Sequence, residues 1–492
     1  MPLLLGPALA LALHLAAASR YGFFRDELYF VVCGQRLAWG FVDQPPLFPA
    51  LAALSFHAAH GSVLLFRLPA FLIHAATSLG AGLLARRLGG AAFAVALAGL
   101  CVATSPLLLG LGHLMTMNAL EPLLWLACAA VVLRLTGPQG AQPPDPRLWL
   151  LAGALAGVGM LNKHSMAFFV ACLLAGVAAG APRMLRTRWL AAAALLALLI
   201  VAPHLLWQWR HGFPMLELLR NGRLHKNAPF APAQFFLEQL TDPGPLHALV
   251  WIPGALWLVL RRRAVGLACV LLIALYFVLQ AKAYYAAPVY PILFAGGAVA
   301  IERAFRSPAR LLLPALAIAE GVAFAPLAIP ILSEPAFIRY QARLGMAPRH
   351  LEKKEYGALP QVFADQHGWE RLARAVAEVV AALPAAQRER ATIYAQNYGE
   401  AAAIELLGGP LPKVTSGHNN YFLWGPGPDE GPWIIVGGKP ASHREVFADV
   451  REVARLPHDP LVMPYEDQLP IWLCRSPKRS IQSVWPSTRH YE

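Results

Sequence analysis

Long apolar runs separated by short polar turns fill the first two thirds of the chain, and the pattern changes abruptly after residue 332. A bilayer span needs about 20 apolar residues, somewhat fewer where flanking side chains snorkel. On that rule residues 3–19, 63–85, 90–111, 117–136, 148–162, 165–182, 189–209, 245–260, 264–281, 284–301 and 310–332 predict about eleven transmembrane helices. The first run lacks the basic flank of a signal peptide and reads as a retained span. From Glu334 onward short apolar strands alternate with amphipathic helices. Ala391 to Gly408 reads as strand, turn and helix, Arg371 to Leu383 as a helix, and Pro432 to Pro440 and Leu469 to Arg475 as strands bounded by Pro and Gly. The expected architecture is a polytopic α-helical membrane domain over 1–332 and a small α/β domain over 333–492.

Two stretches break the spanning pattern. Between the first two spans, Leu28, Val31, Val32 and Trp39 fall near one face of a helix starting at Asp26, with Gln35 and Arg36 interrupting it. That predicts a helix lying on the membrane surface. Pro45 and Pro46 end it, and Leu47 to Ala59 is too short to cross. The second stretch is the loop from Arg210 to Asp242, which carries Arg220, Arg223, His225 and Lys226.

Composition sharpens this picture. Hydrophobic residues make up 57% of the 492 and charged residues only 14%, too apolar for a soluble globule. The net charge of +13 does not point to nucleic acid, because the cations concentrate in short turns. Arg86 with Arg87, Arg134 with Arg147, Arg183 with Arg186 and Arg188, Arg261 to Arg263, and Arg303 with Arg306 and Arg310 occupy alternate loops, which are therefore cytoplasmic. The N-terminus is then inside. The opening stretch, the Lys163 and Lys282 turns, the Arg210–Asp242 loop and the C-terminal domain lie outside. Cys101, Cys128, Cys172 and Cys269 sit inside apolar runs at spacings that fit no zinc site, and Cys33 and Cys474 pair only if the fold joins them.

Acids at a membrane rim need a reason. Asp26 and Glu27 fit helix capping as well as chemistry, but Asp43 ends the same stretch and Glu121 stands at the mouth of a span. Glu121 fits a structural pair with Arg67 or a functional role. Lys163 and Lys282 fit snorkelling singly, yet both fall on the face that carries the acids. Carboxylates with cations at one height suit transfer from a phosphate-bearing donor: a carboxylate takes the acceptor proton and a cation steadies the departing phosphate. Asp43, His113, Asn118, Tyr284 and Tyr285 are the candidate substrate contacts. In the C-terminal domain Tyr394, Asn397, Tyr398 and the Ser416 to Pro426 loop suit sugar stacking, or simple turn chemistry.

Phe24 to Phe30 (FRDELYF), the VDQPPL turn, MTMNALEPLLW, NKHSMAFF, PHLLWQWRHGFP, KAYYAAPVYP, QNYGEAAAIELLG and SGHNNYFLWGP together resemble bacterial membrane glycosyltransferases of family 39. These are of GT-C type and related to the protein O-mannosyltransferases and the lipid A aminoarabinose transferase. The resemblance implies an inverting transferase in the bacterial inner membrane that takes sugar from a polyprenyl phosphate sugar on the extracytoplasmic face, with the acceptor open. It puts Asp26 at the catalytic base with Glu27 beside it, and matches Glu121 to a family acid that is more often Asp. Where relatives have Glu-Lys-Pro, this chain has Asp43, Gln44 and Pro45, so the phosphate-binding lysine is missing. Arg25, Lys163, Lys282, Arg220, Arg223 and Lys226 are the candidates to replace it. A divalent metal stays open, with Asp43 as its candidate ligand. The alternative class, a transporter or flippase of a lipid-linked saccharide, expects paired halves with broken helices, and the sequence shows no such symmetry.

Overall fold

A computed structural model describes residues 1–18, 20–137, 145–346 and 352–492. The chain forms two compact units: Met1–Arg20 with His57–Leu206 and Pro229–Leu332, and Tyr21–Phe56 with Trp207–Ala228 and Ser333–Glu492.

The first unit is helical. Among the described residues five helices are long and apolar enough to cross a bilayer: Val63–Arg87, Met117–Leu135, Arg188–Arg210, Ala283–Ala304 and Pro308–Ala328. Residues 90–111, expected as one span, form Ala92–Thr104 and Pro106–His113 with a 60° bend between them. Pro106 explains the break, since it lacks an amide hydrogen and forces Ser105 out of the helical region, to φ −61° and ψ 118°. The other expected segments are shorter apolar helices: Pro2–Ala17, Leu148–Asn162, Ser165–Gly180, Ala248–Arg261 and Arg263–Val278. Small residues let them approach closely. A Cβ on Gly297 would collide with the Val250 carbonyl, and one on Gly254 with that of Leu293, so these two glycines seat Ala248–Arg261 against Tyr290–Ala304.

The second unit is built around a five-stranded sheet: β1 Thr392–Tyr394, β2 Lys413–Thr415, β3 Trp433–Val436, β4 Phe447–Arg455 and β5 Pro470–Pro477. The order is β2-β1-β3-β5-β4. β1 is parallel to β2 and β3, with Ile393 opposite Val414 and Ile434, while β5 runs antiparallel to β3 and β4. After β1 the chain forms the Tyr398–Leu407 helix and pairs as β2 on one side. It then forms Asn419–Trp424 and returns as β3 on the other. This reversal puts the topological switch point at the carboxyl ends of β1 and β3, the usual ligand position in such sheets.

The Arg25–Gln35 helix differs from expectation. Leu28, Tyr29, Phe30, Val31, Val32 and Cys33 are all buried, and the helix packs within the second unit against Tyr398–Leu407 rather than showing a polar face. Burial of each large apolar side chain stabilises by about 1.5–3 kcal/mol. Trp39 lies beyond the helix and is 61% exposed. All six cysteines are buried free thiols, Cys33 and Cys474 included.

Candidate functional site

The helix ends at this switch point converge on Asp26. The Tyr398 hydroxyl donates to Asp26 Oδ1 at 2.8 Å, and Arg25 Nε lies 3.9 Å from the same oxygen. Asn397 fixes the start of the Tyr398 helix by accepting from the Glu400 amide at 3.0 Å. Arg25 is buried. Its guanidinium sits over the Tyr398 ring, donates to the Tyr465 hydroxyl at 2.8 Å and lies 3.5 Å from Asp365 Oδ2. Its Nε finds no hydrogen-bond acceptor among the described residues. A buried donor left over beside a cavity is a ready contact for an anion.

That cavity, about 120 Å³, is lined by Arg25, Lys226, Lys354, Tyr398, His418 and Tyr465 among others. Lys226 Nζ is 3.9 Å and Lys354 Nζ 3.7 Å from the Glu352 carboxylate. Burial pulls the Lys226 pKa down against the attraction of Glu352, and burial with the neighbouring His490 keeps His418 well below its ordinary range, hence neutral. Beneath Asn397, Glu400 and Glu466 both accept from its Nδ2, at 2.8 and 3.0 Å. Burial raises both carboxyls, with the Glu466 charge adding to it at Glu400, and with Arg25 opposing it and Asp365 adding to it at Glu466.

Asp43 stands on the same framework. Tyr29 donates to Asp43 Oδ1 at 3.2 Å and accepts from the Asn420 amide at 3.1 Å, while Asn420 Oδ1 accepts from the Val42 amide at 2.9 Å. Burial, with the Asp26 charge adding to it, pushes the Asp43 carboxyl up to about 7. No three His, Cys, Asp or Glu side chains converge as metal ligands among the described residues.

The remaining expected site residues divide between the two units. Glu27 is fully buried and accepts from the Phe24 amide at 2.8 Å, so it caps its helix instead of facing a substrate. Of the basic loop, Lys226 lines the cavity, while Arg220 and Arg223 are exposed and do not. In the first unit Lys163 Nζ donates to Glu121 Oε2 at 2.9 Å and to Asn118 Oδ1 at 2.8 Å, lies over the Tyr285 ring, and Ser165 donates to the other Glu121 oxygen. Glu121 thus pairs with Lys163, not with Arg67. Tyr284 and Tyr285 pack edge to face, and Lys282 is half-buried at the start of that turn. His113 is not at a substrate-facing position. It is buried, 3.2 Å from His14, which lies 2.8 Å from His74.

Sequence reasoning missed Asp365, Lys354, Tyr465 and Glu466. They lie in short irregular segments with no periodicity, and their only signal is charge beside an aromatic residue. The Asn397–Tyr398 turn and the His418–Asn420 loop, by contrast, belong to the two aromatic and amide motifs.

Residues 43–207 match the family described as dolichyl-phosphate-mannose-protein mannosyltransferase. The fold is similar to ArnT from Cupriavidus metallidurans, in the apo state and bound to undecaprenyl phosphate. Each comparison gives a TM-score of 0.62 at 15% identity over 95% of this chain and 97% of that one. The apo oligosaccharyltransferase of Archaeoglobus fulgidus gives a TM-score of 0.45 at 13% identity over 84% of this chain and 64% of that one. A sequence search of curated proteins finds no match. The family model covers only residues 43–207, and at 15% identity the likeness to ArnT is one of fold: the chain has an ArnT-like fold of apolar helices with a small C-terminal sheet domain.

Proposed function

We propose that the protein transfers a sugar from a polyprenyl phosphate sugar to an acceptor at the extracytoplasmic face of the bacterial inner membrane, with inversion at the anomeric carbon. One observation carries the reading: a carboxylate, Asp26, is bonded to Tyr398 and flanked by Arg25, two residues lining a cavity that also presents Lys226 and Lys354. Asp26 takes the acceptor hydroxyl proton as the acceptor oxygen attacks the anomeric carbon from the side opposite the leaving group. The bond from that carbon to the phosphate oxygen breaks, and the lipid phosphate leaves with its electrons toward the three cations. The cavity's 120 Å³ suits a phosphate group rather than a whole ligand, for which pockets run to about 300–1,000 Å³. Arg25 and Lys226 thereby answer the absence of lysine at Gln44. The bound undecaprenyl phosphate of the ArnT structure supports a lipid phosphate as the leaving group.

The test is to incubate purified protein with a panel of polyprenyl phosphate sugars and measure released polyprenyl phosphate. Release that depends on Asp26 supports transfer. Movement of intact donor across a vesicle membrane, with no release, would support the flippase reading instead.

A further inference from the structure

A second cavity in the same unit is larger, about 430 Å³, and is lined by Arg36, Glu405, Leu411, Pro412, Lys413 and Trp424 among others. Two helices fix its position. Arg25–Gln35 and Tyr398–Leu407 both start at the Asp26–Tyr398 contact, and Arg36 and Glu405 stand at their far ends, joined by a 2.7 Å ion pair. Ten residues of helix at 1.5 Å each separate the cavity from Asp26 by roughly 15 Å. That is beyond hydrogen-bond reach of a reacting hydroxyl at Asp26.

Its lining is chemically mixed. The Arg36 guanidinium stacks over Trp424 at 4.6 Å, and Glu405 Oε2 accepts from the Tyr421 hydroxyl at 3.0 Å. Lys413 is exposed at the start of β2 and donates one hydrogen to the Pro426 carbonyl at 2.6 Å, keeping two. Two cations face one acid, and burial together with the Arg36 charge lowers the Lys413 pKa. β2 is an edge strand, and among the described residues no further strand closes this side of the sheet.

We propose that the groove is an accessory binding site for an anionic saccharide, a sugar unit bearing a phosphate or carboxylate. Arg36 Nε and Nη1 with Lys413 Nζ take the anion. Glu405 accepts from ring hydroxyls, and Leu411, Pro412 and the half-exposed Trp424 meet the apolar face of the ring. A neutral sugar would leave the surplus cation unanswered, and a bare phosphate would leave Glu405 and the apolar wall unused. The role as a distal acceptor subsite rests on the transfer reading above; the binding itself does not.

The test uses full-length protein carrying Lys226→Gln, which weakens the Arg25 cavity, in phosphatidylcholine nanodiscs. Saturation-transfer NMR is recorded with glucose 6-phosphate, glucuronate and glucose. Signals from the two anionic sugars should be at least fivefold stronger than from glucose, and adding Arg36→Gln and Lys413→Gln should abolish the difference. Glycerol 3-phosphate, a lipid-headgroup probe, should displace them poorly. Equal signals from all three sugars, anionic signals that survive the added substitutions, or equal displacement by glycerol 3-phosphate would each overturn the proposal. Because the readout is binding, its failure is separable from failure of donor cleavage.

Discussion

Asp26 is held by two unlike neighbours, a tyrosine hydroxyl and an arginine. The hydroxyl donates to Asp26 Oδ1 at 2.8 Å and the arginine Nε lies 3.9 Å from the same oxygen. Asp26→Asn keeps the shape and removes the base, so transfer should fall by about 10²-fold or more while the protein still purifies as a folded species; near-normal turnover would remove Asp26 from the role. Tyr398→Phe deletes one hydrogen bond and keeps the ring under Arg25. Turnover should drop by about tenfold, within the ~1–3 kcal/mol expected of a hydrogen bond to a charged group, with donor KM little changed. Asp43 gives a pH signature. An unfolded aspartate titrates near 3.9, whereas Asp43 titrates at about 7. The folded protein keeps the proton over that window and the unfolded chain releases it. This group's contribution is therefore present below about pH 4 and lost as pH rises to about 7. The thermal midpoint should fall more between pH 4.5 and 8 in the wild type than in Asp43→Asn, and parallel falls would contradict the assignment. At this scale Asp26 was legible because it follows an apolar span and opens a helix. Asp365 and Tyr465 were not, since only tertiary folding brings them to Arg25.

The elements were more legible than their surroundings. Apolar periodicity located the helices, and Pro with Gly located the strand ends, because those signals are local. What they could not show was the partner of Arg25–Gln35. A half-apolar helix fits a membrane surface and a domain interior equally well, and the face that covers it comes from residues 398–407, far along the chain. Likewise, single lysines at span ends read as donor contacts, but Lys163 is already committed to Glu121. Lys163→Met should leave a buried carboxylate unpaired and destabilise the protein by about 3 kcal/mol. Adding Glu121→Gln should restore much of the thermal midpoint. If the single variant melts normally, the pair is not structural and Lys163 returns to the donor-binding candidates.

At the scale of the whole molecule, the second unit is assembled from three separate stretches, residues 21–56, 207–228 and 333–492. The composition change at residue 332 marks where the last stretch begins, but composition cannot tell that two earlier segments belong with it. Expressed alone, residues 333–492 would lack the helix that covers Tyr398–Leu407 and should give a poorly structured, aggregating fragment by circular dichroism. A cooperative melt would show that the segment folds independently. The catalytic claim rests on that same assembly, since it brings Asp26 to the Arg25, Lys226 and Lys354 cavity. The most direct measurement is release of polyprenyl phosphate from polyprenyl phosphate sugars by purified wild type and Asp26→Asn protein. The account predicts release by the wild type and loss of about 10²-fold or more in the variant; equal release by both, or none by the wild type with any donor in the panel, would contradict it.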